Sequence, residues 1–158
     1  MKKLLLLPLL AALVSACSTS FKEDVAINSQ PSGADVFVNN ELVGQTPTNV
    51  CLPKDGVYEV RLAKTGYKDQ VVNIASIRTN PLVKFGPLVD MGYYKELTPD
   101  PVDAGLKPAF LPAYPGTNSF GDMTVNILEA DAMRKDGKIT PEEHSYLIQV
   151  ITEFYTQK

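Results

Sequence analysis

Val25-Ala26-Ile27-Asn28-Ser29-Gln30-Pro31-Ser32-Gly33-Ala34-Asp35-Val36-Phe37-Val38-Asn39-Asn40 is the stretch that decides the fold. Val25 and Ile27 alternate with Ala26 and Asn28, a period of two that puts every second side chain on one face of a strand. Gln30-Pro31-Ser32-Gly33 then reads as a turn, because proline fixes φ and glycine accepts backbone conformations that other residues avoid. Val36 and Val38 alternate with Asp35 and Phe37, and Asn39-Asn40 is a pair that tolerates positive φ in a tight hairpin.

Further along, Leu42-Val43 leads to Gly44, Thr46-Pro47 breaks the run, and Val50-Cys51-Leu52 ends at Pro53-Lys54-Asp55-Gly56. Tyr58, Val60 and Leu62 face one way and Glu59, Arg61 and Ala63 the other. Gly66 turns the chain, and Val72 and Ile74 close the set against Val71 and Asn73. Five or six short strands at this spacing predict a small antiparallel β-sandwich over residues 24–76.

These residues also carry a resemblance. Pro31-Ser32-Gly33-Ala34, Val36-Phe37-Val38, Gly44-Gln45-Thr46-Pro47, Gly56 and Lys64-Thr65-Gly66-Tyr67-Lys68 stand in the order of a PEGA domain, and the segment resembles that family. Ser32 replaces the glutamate of the name-giving motif, a change that leaves the turn geometry intact. The resemblance implies a small extracytoplasmic β-sandwich of envelope and surface-layer proteins, with no enzymatic activity in the module and no binding residues to transfer. Structural roles account for the motif residues: Gly33, Gly44, Gly56 and Gly66 suit backbone bends, Pro31 and Pro47 punctuate strands, and Tyr67 caps the core.

The N-terminus reads as an address. Met1-Lys2-Lys3 is a short cationic start, and Leu4 to Ala16 is apolar apart from Pro8 and Ser15. A bilayer-spanning helix needs about 20 such residues, so this run fits a secretory signal over residues 1–16. Val14-Ser15-Ala16-Cys17 resembles a bacterial lipobox, which implies lipidation of Cys17 and cleavage before it. Ser18 stands where that family's inner-membrane retention residue would be aspartate, so the resemblance implies an outer-membrane lipoprotein facing the periplasm if the cell is Gram-negative. Residues 17–23 form a lipidated N-terminus and short tether. Seven residues, Ser18 to Asp24, span at most about 25 Å and keep the sandwich near the bilayer. With Cys17 consumed, Cys51 has no intramolecular partner and is expected as a buried thiol, with an intermolecular bridge as the alternative.

The 158 residues are 44% hydrophobic and 21% charged, a globular composition. A net charge of −3, becoming −5 if the two lysines of residues 1–16 are removed, excludes a basic field for nucleic acid. Seven of the twelve prolines lie between Pro81 and Pro115, yet residues 81–121 are as apolar as the whole chain. A free linker would leave Leu82, Phe85, Leu88 and Val89 wet, so residues 77–121 are expected to wrap the sandwich as irregular, proline-fixed chain. Within them Tyr93, Tyr94, Phe110 and Tyr114 are candidates for an aromatic contact surface toward glycan or peptide, with packing onto the sandwich as the alternative.

Residues 122–158 predict a helical hairpin. Asp122 caps a helix with Met123, Ile127, Ala130 and Met133 on one face, and Gly137 stops it. Thr140-Pro141-Glu142-Glu143 is a capping box, followed at helical spacing by His144, Leu147, Ile148, Ile151, Phe154 and Tyr155. The Gly-x-Ile-Thr-x-Glu-Glu run is also similar to short C-terminal segments of the SHOCT type. A calcium loop centred on Gly137 would place Ala132 and Arg134 where carboxylates are required, which excludes it. His144 is the only histidine, so a His-based metal cluster is impossible, and neither a nucleophile elbow nor a phosphate loop is present. No catalytic residues and no cofactor are expected.

The expectation is therefore a mainly β protein with α: a PEGA-like sandwich, a Pro-rich wrap and a C-terminal helical hairpin. Its expected function is that of a lipid-anchored envelope protein that binds or scaffolds an envelope protein or peptidoglycan. The alternative is an accessory subunit docking into an envelope assembly through its terminal helices.

Overall fold

The computed structural model describes residues 20–156; the signal region 1–16 and the lipidation site expected at Cys17 lie outside the described residues. Eight strands, β1 (Lys22–Gln30), β2 (Asp35–Val38), β3 (Glu41–Gln45), β4 (Thr48–Pro53), β5 (Val57–Ala63), β6 (Gln70–Arg78), β7 (Lys95–Thr98) and β8 (Val102–Gly105), alternate with α1 (Pro87–Asp90), α2 (Ser119–Lys135) and α3 (Pro141–Thr156). They form a three-stranded sheet, β4-β1-β8, and a five-stranded sheet, β3-β2-β5-β6-β7. Val25 and Ile27 of the first sheet share one core with Val36, Val60, Leu62 and Ile74 of the second, all fully buried. These are the inward positions of the alternating runs, so the period of two is realised as sandwich packing.

The motif residues are explained by backbone chemistry. Gly33 sits at φ +76°, its N–H donates to the Thr46 carbonyl (2.8 Å), and Thr46 N–H donates to Ala34 O (2.9 Å). The buried Thr46 hydroxyl accepts from Ala34 N–H at 3.0 Å. The Pro-Ser-Gly-Ala turn and the Gly-Gln-Thr-Pro step are thus two halves of one clasp. Asn39 and Asn40 adopt φ 48° and 71° in the β2–β3 hairpin, where a tight turn needs left-handed residues.

Four expectations need correction. Residues 81–121 are not wholly irregular: β7 extends the large sheet beside β6 and β8 joins β1 in parallel, while the pairs among β1 to β6 are antiparallel as expected. The chain crosses from the large sheet to the small one in the short connection from Thr98 to Val102. Strand β1 starts at Lys22, which shortens the expected tether. Cys51 is exposed rather than buried: Val50 and Leu52 turn inward on β4, which sends the residue between them to the other face. Asp24, directly opposite on β1, hydrogen-bonds the thiol and pushes its pKa up. Lastly, α2 begins at Ser119 with Asn118 as its cap, the Asn118 side chain accepting from Gly121 N–H at 3.3 Å. Asp122 falls instead in the first turn, where its charge suits the helix dipole.

The helical ends follow the sequence closely. Gly137 at φ +70° closes α2 in a Schellman arrangement, with Lys138 N–H on Met133 O (2.9 Å) and Gly137 N–H on Arg134 O (3.0 Å). The capping box opens α3 through Thr140 N–H to Glu143 Oε2 (2.9 Å) and Glu143 N–H to Thr140 Oγ1 (3.1 Å). Ala130, Leu147 and Ile151 of the hairpin enter the same core cluster as the sandwich.

Candidate functional site

Strand β1 gives the molecule two ends. At about 3.3 Å per residue its nine residues separate Phe21 from Gln30 by roughly 30 Å. The expected contact residues are divided between these ends, so they do not form one surface.

At the start of β1 lies the loop 79–94, closed at its base by Thr79 N–H to Tyr94 O at 3.0 Å. Phe21 N–H donates to Met91 O (2.8 Å), and Lys54 N–H to Phe21 O (2.7 Å), which ties the loop to β1 and β4 through the main chain. Tyr93 stands edge-on between Phe21 and Tyr94, with ring centroids 5.2 Å and 4.9 Å away. Val89 is buried, but Leu82 and Phe85 are each 88% exposed, and Leu88, Tyr93 and Phe21 are exposed as well. The expectation that Leu82, Phe85 and Leu88 would pack onto the sandwich therefore fails: backbone hydrogen bonds already hold the loop.

At the other end the hairpin meets the ends of β1 and β5. A groove of about 490 Å³ runs between the Ser29–Ser32 turn and the start of α3, lined also by Lys64, Glu143 and Tyr146. Lys64 Nζ lies 3.1 Å from Glu143 Oε1 and donates to Ser32 O at 2.9 Å. Burial works to raise the Glu143 pKa, but the Thr140 amide and the Lys64 ammonium outweigh it and hold the carboxyl below its ordinary range. Tyr146 OH donates to Leu106 O at 3.0 Å. Tyr67 lies against the same seam, its hydroxyl buried without a hydrogen-bond partner. Burial first, then the neighbouring Glu143 and Tyr146, push its phenol up to about 12.

Tyr114 stands beside the helical hairpin. It is 83% exposed and shares a shallow cleft with Val125 and Tyr155. On α2, Phe120, Val125 and Leu128 are also exposed, all within an arc of about 140° at roughly 100° per residue. Phe110 is different again, half-buried and packed against the core. The periodic reading of α2 found its inward face and missed this outward one, for which the only sequence signal is apolar residues beyond the Met123–Ile127–Ala130 stripe.

His144 Nε2 lies 2.7 Å from Asp131 Oδ1, linking α3 to α2. Among the described residues no group of three or more His, Cys, Asp or Glu side chains is placed to hold a metal ion. No helix among them is long and apolar enough to cross a membrane.

No curated protein and no solved structure matches the chain. A family model does: residues 23–85, from the second residue of β1 to the exposed Phe85, match the model described as PEGA domain, a binding or scaffolding type of module. The match takes in β1 to β6 and both halves of the Gly33–Thr46 clasp, and it ends before β7, β8 and the helices. That segment of the chain is similar to a PEGA domain, set within a larger mostly β structure with C-terminal helices.

Proposed function

We propose that the protein is a lipid-anchored component of a bacterial cell envelope, held at the membrane through Cys17, that scaffolds another envelope protein without catalysis. The lipobox-like Val14-Ser15-Ala16-Cys17 supports the anchor, and Ser18 supports an outer-membrane address facing the periplasm in a Gram-negative cell. The lone histidine is engaged by Asp131 in a link between two helices, which supports a non-catalytic reading.

One observation carries the choice of partner: Phe120, Val125 and Leu128 are exposed along one side of α2, and the exposed Tyr114 shares a cleft with Val125. Isolated exposed apolar residues are ordinary, but a grouped set suits a protein interface. Aliphatic Val125 and Leu128 offer little to the hydroxyls of a glycan, whereas Tyr114 alone could stack on a sugar. This favours a protein partner over peptidoglycan, and docking through the terminal helices as the mode of contact.

Deleting the last helix would not test the proposal, because Leu147 and Ile151 belong to the core. The informative experiment is in-cell photo-crosslinking from position 128, with the exposed sheet residue Val71 as control. A discrete protein adduct from position 128, lost in a Phe120→Glu variant, is expected. Retention of the protein on purified sacculi at high salt, with no adduct, would replace the protein partner by a wall glycan.

A further inference from the structure

We propose that the loop 79–94 is a second membrane contact, which lays the start of β1 against the lipid headgroups and fixes the orientation of the whole module. The inference rests on the proposed anchor at Cys17. Three residues, Ser18 to Ser20, separate Cys17 from Phe21, so the four steps reach at most about 14 Å. Phe21 is itself part of the loop's surface, through its main-chain bond to Met91 and its ring contact with Tyr93. An acylated Cys17 would thus hold Phe21, and the loop bonded to it through Met91 and Tyr93, within about 14 Å of the bilayer surface, close enough for the exposed loop side chains to meet lipid.

The chemistry of the loop fits that occupant. Its exposed apolar side chains lie on a segment held by backbone hydrogen bonds, so they are free to enter lipid without loosening the core. A tyrosine offers an apolar ring with a polar tip, the combination favoured at a bilayer–water boundary. Charge does not oppose it: the loop holds Lys84 against Asp90, with Arg78 and Lys95 directly at its two ends, within a chain of net charge −3. Lys84 stands directly between Val83 and Phe85, where a long stem can follow the apolar surface while its ammonium meets lipid phosphate. The opposite end of β1, where Glu143 and Tyr146 of the hairpin line the groove, lies roughly 30 Å away and outside the reach of the anchor.

The chain has no tryptophan, so one introduced indole reports its surroundings cleanly. The full-length protein, purified from membranes as Phe85→Trp and separately as Phe120→Trp, is reconstituted into phosphatidylethanolamine–phosphatidylglycerol vesicles carrying brominated acyl chains. Intact mass reads the state of Cys17, and circular dichroism melting verifies that each variant is folded. The expected result is blue-shifted, bromine-quenched emission from position 85, reduced by an added Leu82→Asp, with solvent-like, unquenched emission from position 120. Unquenched emission from position 85 in a chain whose Cys17 is acylated overturns the proposal and leaves the anchor standing. An unmodified Cys17 overturns the anchor; quenching at position 85 in that chain, abolished by Leu82→Asp, would then support the loop contact alone, and its absence would reject both.

Discussion

The two ends of β1 are stabilised by different means. At the Phe21 end the main chain holds the structure: three backbone hydrogen bonds fasten the loop 79–94 and its neighbours, and the large side chains are left outside. At the Gln30 end side chains are added to the backbone clasp: Leu147 and Ile151 fill the core, Lys64 pairs with Glu143, and Tyr146 reaches Leu106. Where backbone bonds secure a segment, its apolar side chains are available for an external surface. Where side chains do the fastening, function must use what remains, here the groove and the outer face of α2.

The largest effect should come from the side-chain end. Leu147→Ala removes a 1% exposed side chain from a core shared by hairpin and sandwich, and should cost about 2–5 kcal/mol. Phe85→Ala, at the other end, should stay within about 0.5 kcal/mol. Urea denaturation followed by far-UV circular dichroism measures both. Two separate transitions in Leu147→Ala would break the comparison, because they would mean that the hairpin is an independent body.

The Phe21 end has its own weak point. Gly92 sits at φ +90°, and a Cβ there would lie 2.9 Å from Lys54 Cβ. Gly92→Ala should therefore cost about 1–3 kcal/mol, through both a disfavoured φ and a forced retreat of the loop from β4. Hydrogen exchange localises the effect: the Phe21 amide, which donates to Met91 O, should exchange faster while the Val60 amide in the core strand is slowed or accelerated only with global stability. Equal acceleration at both sites would mean that the loop is no separate layer of stability.

The contrast also explains what could be read from the chain alone. Strands β1, β2, β5 and β6 were legible because alternation over several residues fixes which face is buried. The capping box and Gly137 were legible because their hydrogen bonds are local. Strands β7 and β8 were not: each has four residues, prolines crowd their connection, and their pairing depends on distant partners. Val50-Cys51-Leu52 has three apolar residues in a row, so its phase, and with it the exposure of Cys51, was invisible. The placement of the aromatic residues was legible only in part. Tyr93 and Tyr94 adjoin in sequence, but nothing local says that Phe21 joins them, that Phe110 turns into the core, or that Tyr114 belongs with α2.

A smaller effect should come from the Lys64–Glu143 pair. Glu143→Gln weakens both the capping box and the contact with Lys64, and should cost about 1 kcal/mol near neutral pH. The folded-state pKa of Glu143 is depressed, so its stabilisation is present above the ordinary carboxylate range near pH 4.3 and is lost as pH falls through the lower folded value. The difference between parent and variant should accordingly shrink as pH falls below the ordinary carboxylate range. A constant difference as pH falls, read from thermal melts, would assign the cost to packing in the groove rather than to charge.

Tyr67→Phe should have the smallest effect at neutral pH and the most informative one in alkali. The Tyr67 hydroxyl is buried with no hydrogen-bond partner, so removing it forfeits no bond and should be neutral or slightly stabilising at pH 7. Its folded pKa of about 12 exceeds the ordinary tyrosine value of about 10. The unfolded chain therefore loses this proton first, and the parent protein should lose stability as pH rises from about 10 toward 12. The phenylalanine variant lacks that loss, so its advantage should grow over this interval, while exposed lysines titrate alike in both proteins and cancel. Urea midpoints at pH 7, 10 and 11.5 measure it. A loss of about 1–3 kcal/mol at pH 7 would show that the hydroxyl is bonded after all, making the seam a fully satisfied side-chain joint instead of one with a single idle group.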